Sequence, residues 1–192
     1  MGIFSPTTFL SNLAGGGALQ SLFQVTIAAP STLTSVDNGA NYKYMTKAAT
    51  IPESTITATP ISYMGREIQV PGNRESTQWT NTVYNDEDFV IRHMLEDWTQ
   101  NLNSGVGNTR ASKWTVPSVY TGTLKVITYK KATTPPDPTD DESVEKPTIA
   151  SIYKFTGCWP SSVGEITLDW ETNEIQEYEV TWEYAFWTRE AA

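Results

Sequence analysis

Two stretches near the C-terminus alternate between apolar and polar positions with the period of a β-strand. The first, 165–170, has an apolar side made up of Ile166, Leu168 and Trp170. The second, 177–186, has a longer and more aromatic apolar side made up of Tyr178, Val180, Trp182, Tyr184 and Phe186. A period of two places alternate side chains on opposite faces of a strand. The pattern therefore predicts two strands, joined by a polar turn over 171–174.

The polar sides of these two predicted strands are acidic. They carry Glu165, Asp169, Glu177, Glu179 and Glu183. Removing one unpaired carboxylate from water costs several kcal/mol, whereas a whole domain is stable by only roughly 5–15 kcal/mol. The aromatic side is therefore predicted to be buried, and the acidic side is predicted to face water.

Shorter apolar segments predict further strands earlier in the chain. They lie at 22–27, 42–49, 78–84, 124–130 and 149–156. Residues 54–73 contain a predicted hairpin, with arms at 56–63 and 66–70 around a Met64–Gly65 turn. Pro60 within its first arm favours a protruding position over a central one. Since this hairpin has no apolar core of its own, we expect it to lie on another surface.

One helix is predicted, over 85–104. Asn85 is a favourable N-cap, and the acidic residues 86–88 suit the first turn of a helix. An apolar stripe follows at helical spacing and consists of Ile91, Met94, Leu95, Trp98 and Leu102. We expect this stripe to cover one sheet.

These elements predict a mainly β protein of the β-rich α+β type. Two antiparallel sheets are expected to pack as a β-barrel or sandwich, with one flanking α-helix and a long protruding β-hairpin. Residues 1–20, with their run of glycines, are expected to form a flexible arm, and 21–192 to form one domain. Within that domain, 131–147 is rich in proline and acids and is expected to be a mobile loop.

The chain shows no pattern of an enzyme, a metal site or a cofactor site. Cys158 is the only cysteine, which excludes a zinc site with four cysteine ligands. His93 is the only histidine, so a histidine-based catalytic triad has little support. Cys158 is expected to be a buried, inert thiol. The acids of the loop 131–147 lack the spacing of a calcium loop. The net charge of −9 argues against a general nucleic-acid binder, and no segment is long and apolar enough to suggest a membrane partner.

Five long segments resemble the tail tube protein family of contractile-tailed bacteriophages, which is itself similar to the Hcp tube proteins of type VI secretion. They read LFQVTI, KAATIPESTI, ISYMGREIQVPGNR, QWTNTVYNDED and GCWPSSVGEITLDWETNEIQEYEVTWEYAFW. The segments occur in the order of the family pattern and span most of the chain. Residues 133–147 depart from the pattern as an insertion, so the resemblance implies nothing about them.

The resemblance implies a hexameric ring protein whose rings stack into the inner tube of a contractile tail. Six subunits would join their sheets into an inner barrel, and the hairpin 54–73 would contact the next ring. The hairpin residues expected at that contact are Thr57, Ile61, Tyr63, Met64, Gly65, Arg66 and Ile68. Further implied partners are the tail sheath protein, the baseplate and tail-terminator proteins, and, within the lumen, the tape-measure protein and DNA. The implied location is the tail of the virion, assembled in the cytoplasm of the host bacterium.

The resemblance also suggests a use for the acidic side chains. Glu165, Asp169, Glu177, Glu179 and Glu183 would line the lumen or its mouths, where a wall of the same sign as DNA lets the genome slide during ejection. The sequence leaves open which strand face meets the lumen. Three alternatives to this function stay open: a tube of a phage-derived or type VI-like injection system that moves protein effectors, a baseplate paralogue that initiates the tube, and a monomeric carbohydrate-binding β-sandwich.

Overall fold

A computed structural model describes residues 6–13, 17–33, 39–134 and 146–191 of the chain. Its helices are α1 (Pro6–Asn12), α2 (Tyr42–Met45), α3 (Val90–Leu102) and α4 (Pro117–Tyr120). Its strands are β1 (Phe23–Ala28), β2 (Thr46–Ala49), β3 (Thr55–Tyr63), β4 (Arg66–Glu75), β5 (Trp79–Tyr84), β6 (Gly122–Thr134), β7 (Lys146–Val163), β8 (Glu177–Glu183) and β9 (Phe186–Glu190). The mainly β character predicted from the sequence is confirmed.

The long strand β7 belongs to two antiparallel layers. Its first part pairs with β6 on one side and β9 on the other, and its last part pairs with β8. Gly157 marks the change, because it has a φ of 72° and the register with β6 shifts beside it. A bulge bends a strand, and glycine adopts the positive φ at this position without strain. The first layer is thus β1-β6-β7-β9, and the second layer is β7-β8-β5-β2.

The inner faces of the two layers form one hydrophobic core. The first layer contributes Val25, Ile27, Leu124, Val126 and Phe155, and the second contributes Trp79, Val83, Tyr178, Val180 and Trp182. The rings of Trp79 and Phe155 meet across the interface with centroids 5.2 Å apart. The predicted packing of two antiparallel sheets as a barrel or sandwich is confirmed. The predicted burial of Tyr178, Val180 and Trp182 in β8 is confirmed as well.

The apolar stripe of α3 packs into the same core, as predicted. Ile91, Met94, Leu95 and Trp98 are buried, and the ring of Trp98 lies 5.7 Å from that of Trp182. The predicted start of the helix is wrong. Asn85 does not cap it, because both its backbone N–H and its side-chain amide donate to Gln176 beside β8. The helix begins at Val90, after Phe89 in the left-handed region.

A polar network is buried where α2 meets β5 and β8. The hydroxyl of Tyr42 lies 3.0 Å from the Oδ1 atom of Asn81, and the indole N–H of Trp182 donates to the same atom at 2.9 Å. Burial raises the pKa of Tyr42 above its ordinary value. The strand predicted over 42–49 is therefore only half right: residues 42–45 form a helical turn that directs Tyr42 inward, and the strand is β2.

The strand predicted over 165–170 is wrong. Residues 164–176 form no helix or strand, and Leu168 and Trp170 have exposed fractions of 74% and 105%. Both ends of this segment are held by the region where α3 starts, since Arg92 donates to the carbonyl of Gly164 and Asn85 pairs with Gln176. The chain between them therefore runs over the surface.

The predicted burial of Phe186 is also wrong, because its exposed fraction is 53%. The chain leaves the second layer after Glu183 and joins the first layer at Phe186. Tyr184 and Ala185 lie between the two strands, which shifts the phase of the alternation. As a result Trp187 packs against the core instead of Phe186.

The remaining sequence predictions concern the arm, the hairpin β6–β7 and the cysteine. The predicted arm contains α1, which has no buried residue. Strands β6 and β7 are longer than predicted and extend into the predicted loop 131–147, of which 135–145 lie outside the described residues. Cys158 is fully buried, as predicted, and this burial raises the pKa of its thiol to about 12.

The buried network gives a prediction about stability. Replacing Asn81 by Ala leaves the Tyr42 hydroxyl and the Trp182 indole N–H buried without their partner, at a cost of about 1–3 kcal/mol for each group. We expect urea titration followed by tryptophan fluorescence to show a fall of at least about 2 kcal/mol in the free energy of unfolding. The matched control is Asn173→Ala in the exposed segment 164–176, which should change little. Equal stability of the two variants would contradict the structural role of the network.

Candidate assembly surfaces

The hairpin β3–β4 forms a two-stranded sheet of its own. Its turn is at Met64 and Gly65, with φ values of 46° and 75°. Two successive left-handed residues make the tight turn that fits the twist of a hairpin, and glycine adopts that conformation without strain. The predicted hairpin and its turn are confirmed, and the predicted residues Thr57, Ile61, Tyr63, Met64, Gly65, Arg66 and Ile68 all lie on it.

One face of the hairpin is apolar and uncovered. Ile61 lies opposite Ile68, with exposed fractions of 51% and 50%. The pairs on either side of them on this face are Tyr63 with Arg66 and Thr59 with Val70. The other face carries the pairs Pro60 with Gln69 and Ser62 with Glu67. All residues of β3 and β4 except Thr55 and Val70 are exposed, and no described part of the chain covers the apolar face. Exposed apolar patches of this kind mark interaction sites.

Three of the five predicted acids share the outer face of β8. Their side chains, those of Glu177, Glu179 and Glu183, alternate with the buried side chains of Tyr178, Val180 and Trp182. The carboxylate of Glu177 forms an ion pair with Lys47, which raises the pKa of that lysine. Glu183 accepts a hydrogen bond from the side-chain amide of Gln78 at 2.6 Å. Within the described residues, the carboxylate of Glu179 has no recorded ion pair or hydrogen bond.

The other two predicted acids lie on the segment 164–176 rather than on a strand. Glu165 follows Gly164, whose N–H donates to the carbonyl of Glu179, so it lies close to β8. Asp169 lies further along, where its carboxylate accepts the N–H of Glu171. The structure therefore does not bring all five acids together on one strand face.

The outer face of the first layer carries lysines instead. Lys125 of β6 lies opposite Lys154 of β7, and their ammonium groups lie 3.3 and 3.4 Å from the two carboxylate oxygens of Glu190 in β9. These contacts lower the pKa of Glu190, chiefly through the bond from Lys125. Sequence reasoning missed this cluster, although the period of two in 123–129 places Lys125 outward. The solvent-exposed outer faces of the two layers thus differ in charge.

Each layer has two strand edges that no other described strand covers. In the first layer these are the outer edges of β1 and β9, because β1 pairs only with β6 and β9 only with β7. In the second layer they belong to β2 and to the last part of β7. Both layers contain four strands of alternating direction. An edge strand of one copy would therefore run antiparallel to the opposite edge strand of another copy, and uncovered edges favour such pairing.

The described residues hold no cluster of side chains suited to a metal ion. The ring of His93 stacks on Phe89 at 5.9 Å on the surface of α3. The acids at 137–142 that were considered for calcium lie outside the described residues. None of the described helices has the length and apolar character to cross a membrane.

The family model described as "Phage tail tube protein" matches residues 18–190. The tail tube proteins gp19 of Enterobacteria phage T4 and Enterobacteria phage T6 are each 33% identical to the chain over 175 residues, which is 91% of this chain and 93% of each relative.

Two solved structures show the same fold at low sequence identity. One belongs to the tube-terminating cap of the anti-feeding prophage, with 13% identity, a TM-score of 0.58, and coverage of 100% of this chain and 95% of that one. The other belongs to the sheath-tube complex of PVC, an extracellular contractile injection system, with 13% identity, a TM-score of 0.56, and coverage of 98% and 99%. The sequence matches settle the family: the chain belongs to the phage tail tube proteins.

Proposed function

We propose that copies of this protein close into hexameric rings, that the rings stack into the inner tube of a contractile phage tail, and that this tube conducts the genome during ejection. The observation that carries the proposal is the hairpin β3–β4, whose apolar face no described part of the same chain covers. An exposed apolar surface of this kind marks a site where another molecule binds. Membership of the tail tube family makes a second copy the natural partner.

The ring is proposed to form by pairing of the open strand edges of neighbouring copies. Because each layer has four strands of alternating direction, joining its two opposite edges between copies continues one antiparallel sheet. Such a contact joins two different surfaces, and repeating it around an axis gives a closed ring. The number six comes from the resemblance to the family.

The rings are proposed to stack through the hairpin. Strand β3 has nine residues, and at about 3.3 Å per residue it reaches roughly 30 Å. We propose that a hairpin of this length extends from one subunit onto a subunit of the next ring. The apolar face with Ile61 and Ile68 would then be buried between rings, where it contributes most to stacking.

The lumen wall is proposed to be the outer face of the second layer, with Glu177, Glu179 and Glu183. A wall of lysines would bind phosphates by releasing their counterions and would hold the DNA. The first layer carries Lys125 and Lys154 outward, so its outer face is a poor surface for a sliding genome. Repulsion from the acidic face acts only near the wall, since the Debye length is roughly 8 Å at physiological salt. We propose that Glu165 and Asp169, which lie on the segment 164–176 rather than on β8, contribute to the mouth of the lumen.

The role is structural rather than enzymatic, and the proposed partners follow from the family. They are other copies of the chain, the sheath, the baseplate and tail-terminator proteins, and, within the lumen, the tape-measure protein and DNA. Assembly is placed in the cytoplasm of the host bacterium. The relatives at 33% identity are phage proteins, whereas the injection-system structures are 13% identical and speak only for the fold. A phage tail is therefore favoured over an injection system.

The stacking role is tested on the apolar face of the hairpin. We expect the double variant Ile61→Ser, Ile68→Ser to form monomers or single rings and no tubes, because the surface buried between rings loses its apolar contacts. Negative-stain electron microscopy measures the outcome. The matched control is Glu67→Ser with Gln69→Ser on the opposite face of the same hairpin, which should still form tubes. Tubes of normal length from the Ile61 and Ile68 variant would refute the stacking role.

The lumen wall is tested by reversing the charge of Glu179. We expect phage particles with Glu179→Lys to release their DNA more slowly, and more so at low salt, because a ring of lysines binds phosphates. The control is Glu87→Lys, which makes the same charge change at an exposed position just before α3 and should leave the rate unchanged. Equal release rates for Glu179→Lys, Glu87→Lys and the unmodified particle would contradict the proposal for this face.

A further inference from the structure

We infer that Trp79 and Trp187 fix the angle at which the hairpin β3–β4 leaves the barrel, and that they thereby act as positioning residues for ring stacking. This inference rests on the stacking role proposed for the hairpin. It adds two residues outside the hairpin that decide whether the apolar face can meet the next ring.

The hairpin lacks packing contacts that would hold its direction. Almost all of its side chains are exposed, and it joins the barrel only through two short segments, 50–54 after β2 and 76–78 before β5. A two-stranded hairpin in water has little stability of its own. Its direction relative to the barrel therefore depends on how these two segments are held.

The segment 50–54 is held at two points by indole N–H groups. Trp79 donates to the carbonyl of Thr50 at 2.8 Å, and Trp187 donates to the carbonyl of Glu53 at 3.2 Å. Trp79 belongs to β5 in the second layer, and Trp187 belongs to β9 in the first layer. A chain segment held at one point can pivot, whereas one held at two points has a fixed direction. The two indoles thus tie the base of the hairpin to both layers of the barrel.

Both indoles are themselves fixed by aromatic packing. Trp79 is buried, with its ring 5.2 Å from that of Phe155. The ring of Trp187 lies edge-on to that of Tyr153 at 5.9 Å. An indole has a single N–H donor whose direction follows the plane of the ring. Because packing restricts the rotation of both rings, the donors stay directed at the carbonyls of Thr50 and Glu53.

The segment 76–78 is held in a similar way. The side-chain amide of Gln78 donates to the carboxylate of Glu183 at 2.6 Å. The two segments that connect the hairpin to the barrel are therefore both held by hydrogen bonds to side chains of the barrel. Glu183, which was predicted only as a lumen acid, also supports the hairpin.

The test compares hairpin motion and tube assembly in the same variant. Trp187→Phe keeps an aromatic ring against Tyr153 and removes the N–H donor together with one of the two fused rings of the indole. Nitroxide labels are placed at the hairpin tip and on α3 through Met64→Cys and Asp97→Cys, and the distance between them is measured by pulsed electron paramagnetic resonance on unassembled protein. Tube formation is measured on the same Trp187 variant without the label sites, because Met64 is expected at the contact between rings. Cys158 stays unlabelled because it is fully buried.

We expect Trp187→Phe to broaden the distance distribution and to raise the protein concentration needed for tube formation several-fold, while rings still form. The control is Trp170→Phe, since Trp170 is fully exposed; it should match the unmodified protein in both measurements. Trp79→Phe is a second variant that should act in the same direction, and its melting temperature shows whether the core survives.

An unchanged distance distribution in Trp187→Phe would overturn the inference, whatever happens to assembly. A broadened distribution with normal tube formation would overturn it as well, because the angle would then not matter for stacking. The Ile61 and Ile68 variant keeps the two proposals apart. If that variant forms no tubes while Trp187→Phe behaves as the unmodified protein, stacking by the hairpin stands and only the positioning role fails.

Discussion

The rings of Trp79 and Phe155, with centroids 5.2 Å apart, join the inner faces of the two layers. Trp98 of α3 reaches the same core through Trp182. This aromatic packing decides where the outer surfaces point, because each outward side chain of β8 and β6 is placed by the inward residue next to it. It also positions the indole N–H of Trp79, which donates to the carbonyl of Thr50 at the base of the hairpin. A conservative change in the core can therefore alter assembly without touching an interface.

The two layers differ in the surfaces that they present outward. The second layer carries the acidic outer face, and the hairpin emerges between its strands β2 and β5. The first layer carries the lysines joined by Glu190. Because β7 runs through both layers, the orientation of one face fixes that of the other. If the acidic outer face of the second layer lines the lumen, as proposed, the outer face with Lys125 and Lys154 points away from the DNA.

The sequence predicted those parts of the fold in which a regular period continues against one neighbouring surface. This holds for the stripe of α3 and for Tyr178, Val180 and Trp182 of β8, each of which faces the core. It fails at 165–170, where the period of two exists but no strand lies beside the segment. It fails again at Phe186, where the chain changes layers. The Tyr42, Asn81 and Trp182 network joins residues far apart in sequence, and no local pattern indicates it.

The assembled tube itself gives the most direct test of how this protein works. We expect a cryo-electron microscopy reconstruction of tubes of the unmodified protein to place Glu179 at the lumen and to show the apolar face of each hairpin, with Ile61 and Ile68, buried against the adjacent ring. Lumen-facing Lys125 and Lys154 would contradict the proposed wall, and hairpins that fold back onto their own subunits would contradict the proposed stacking.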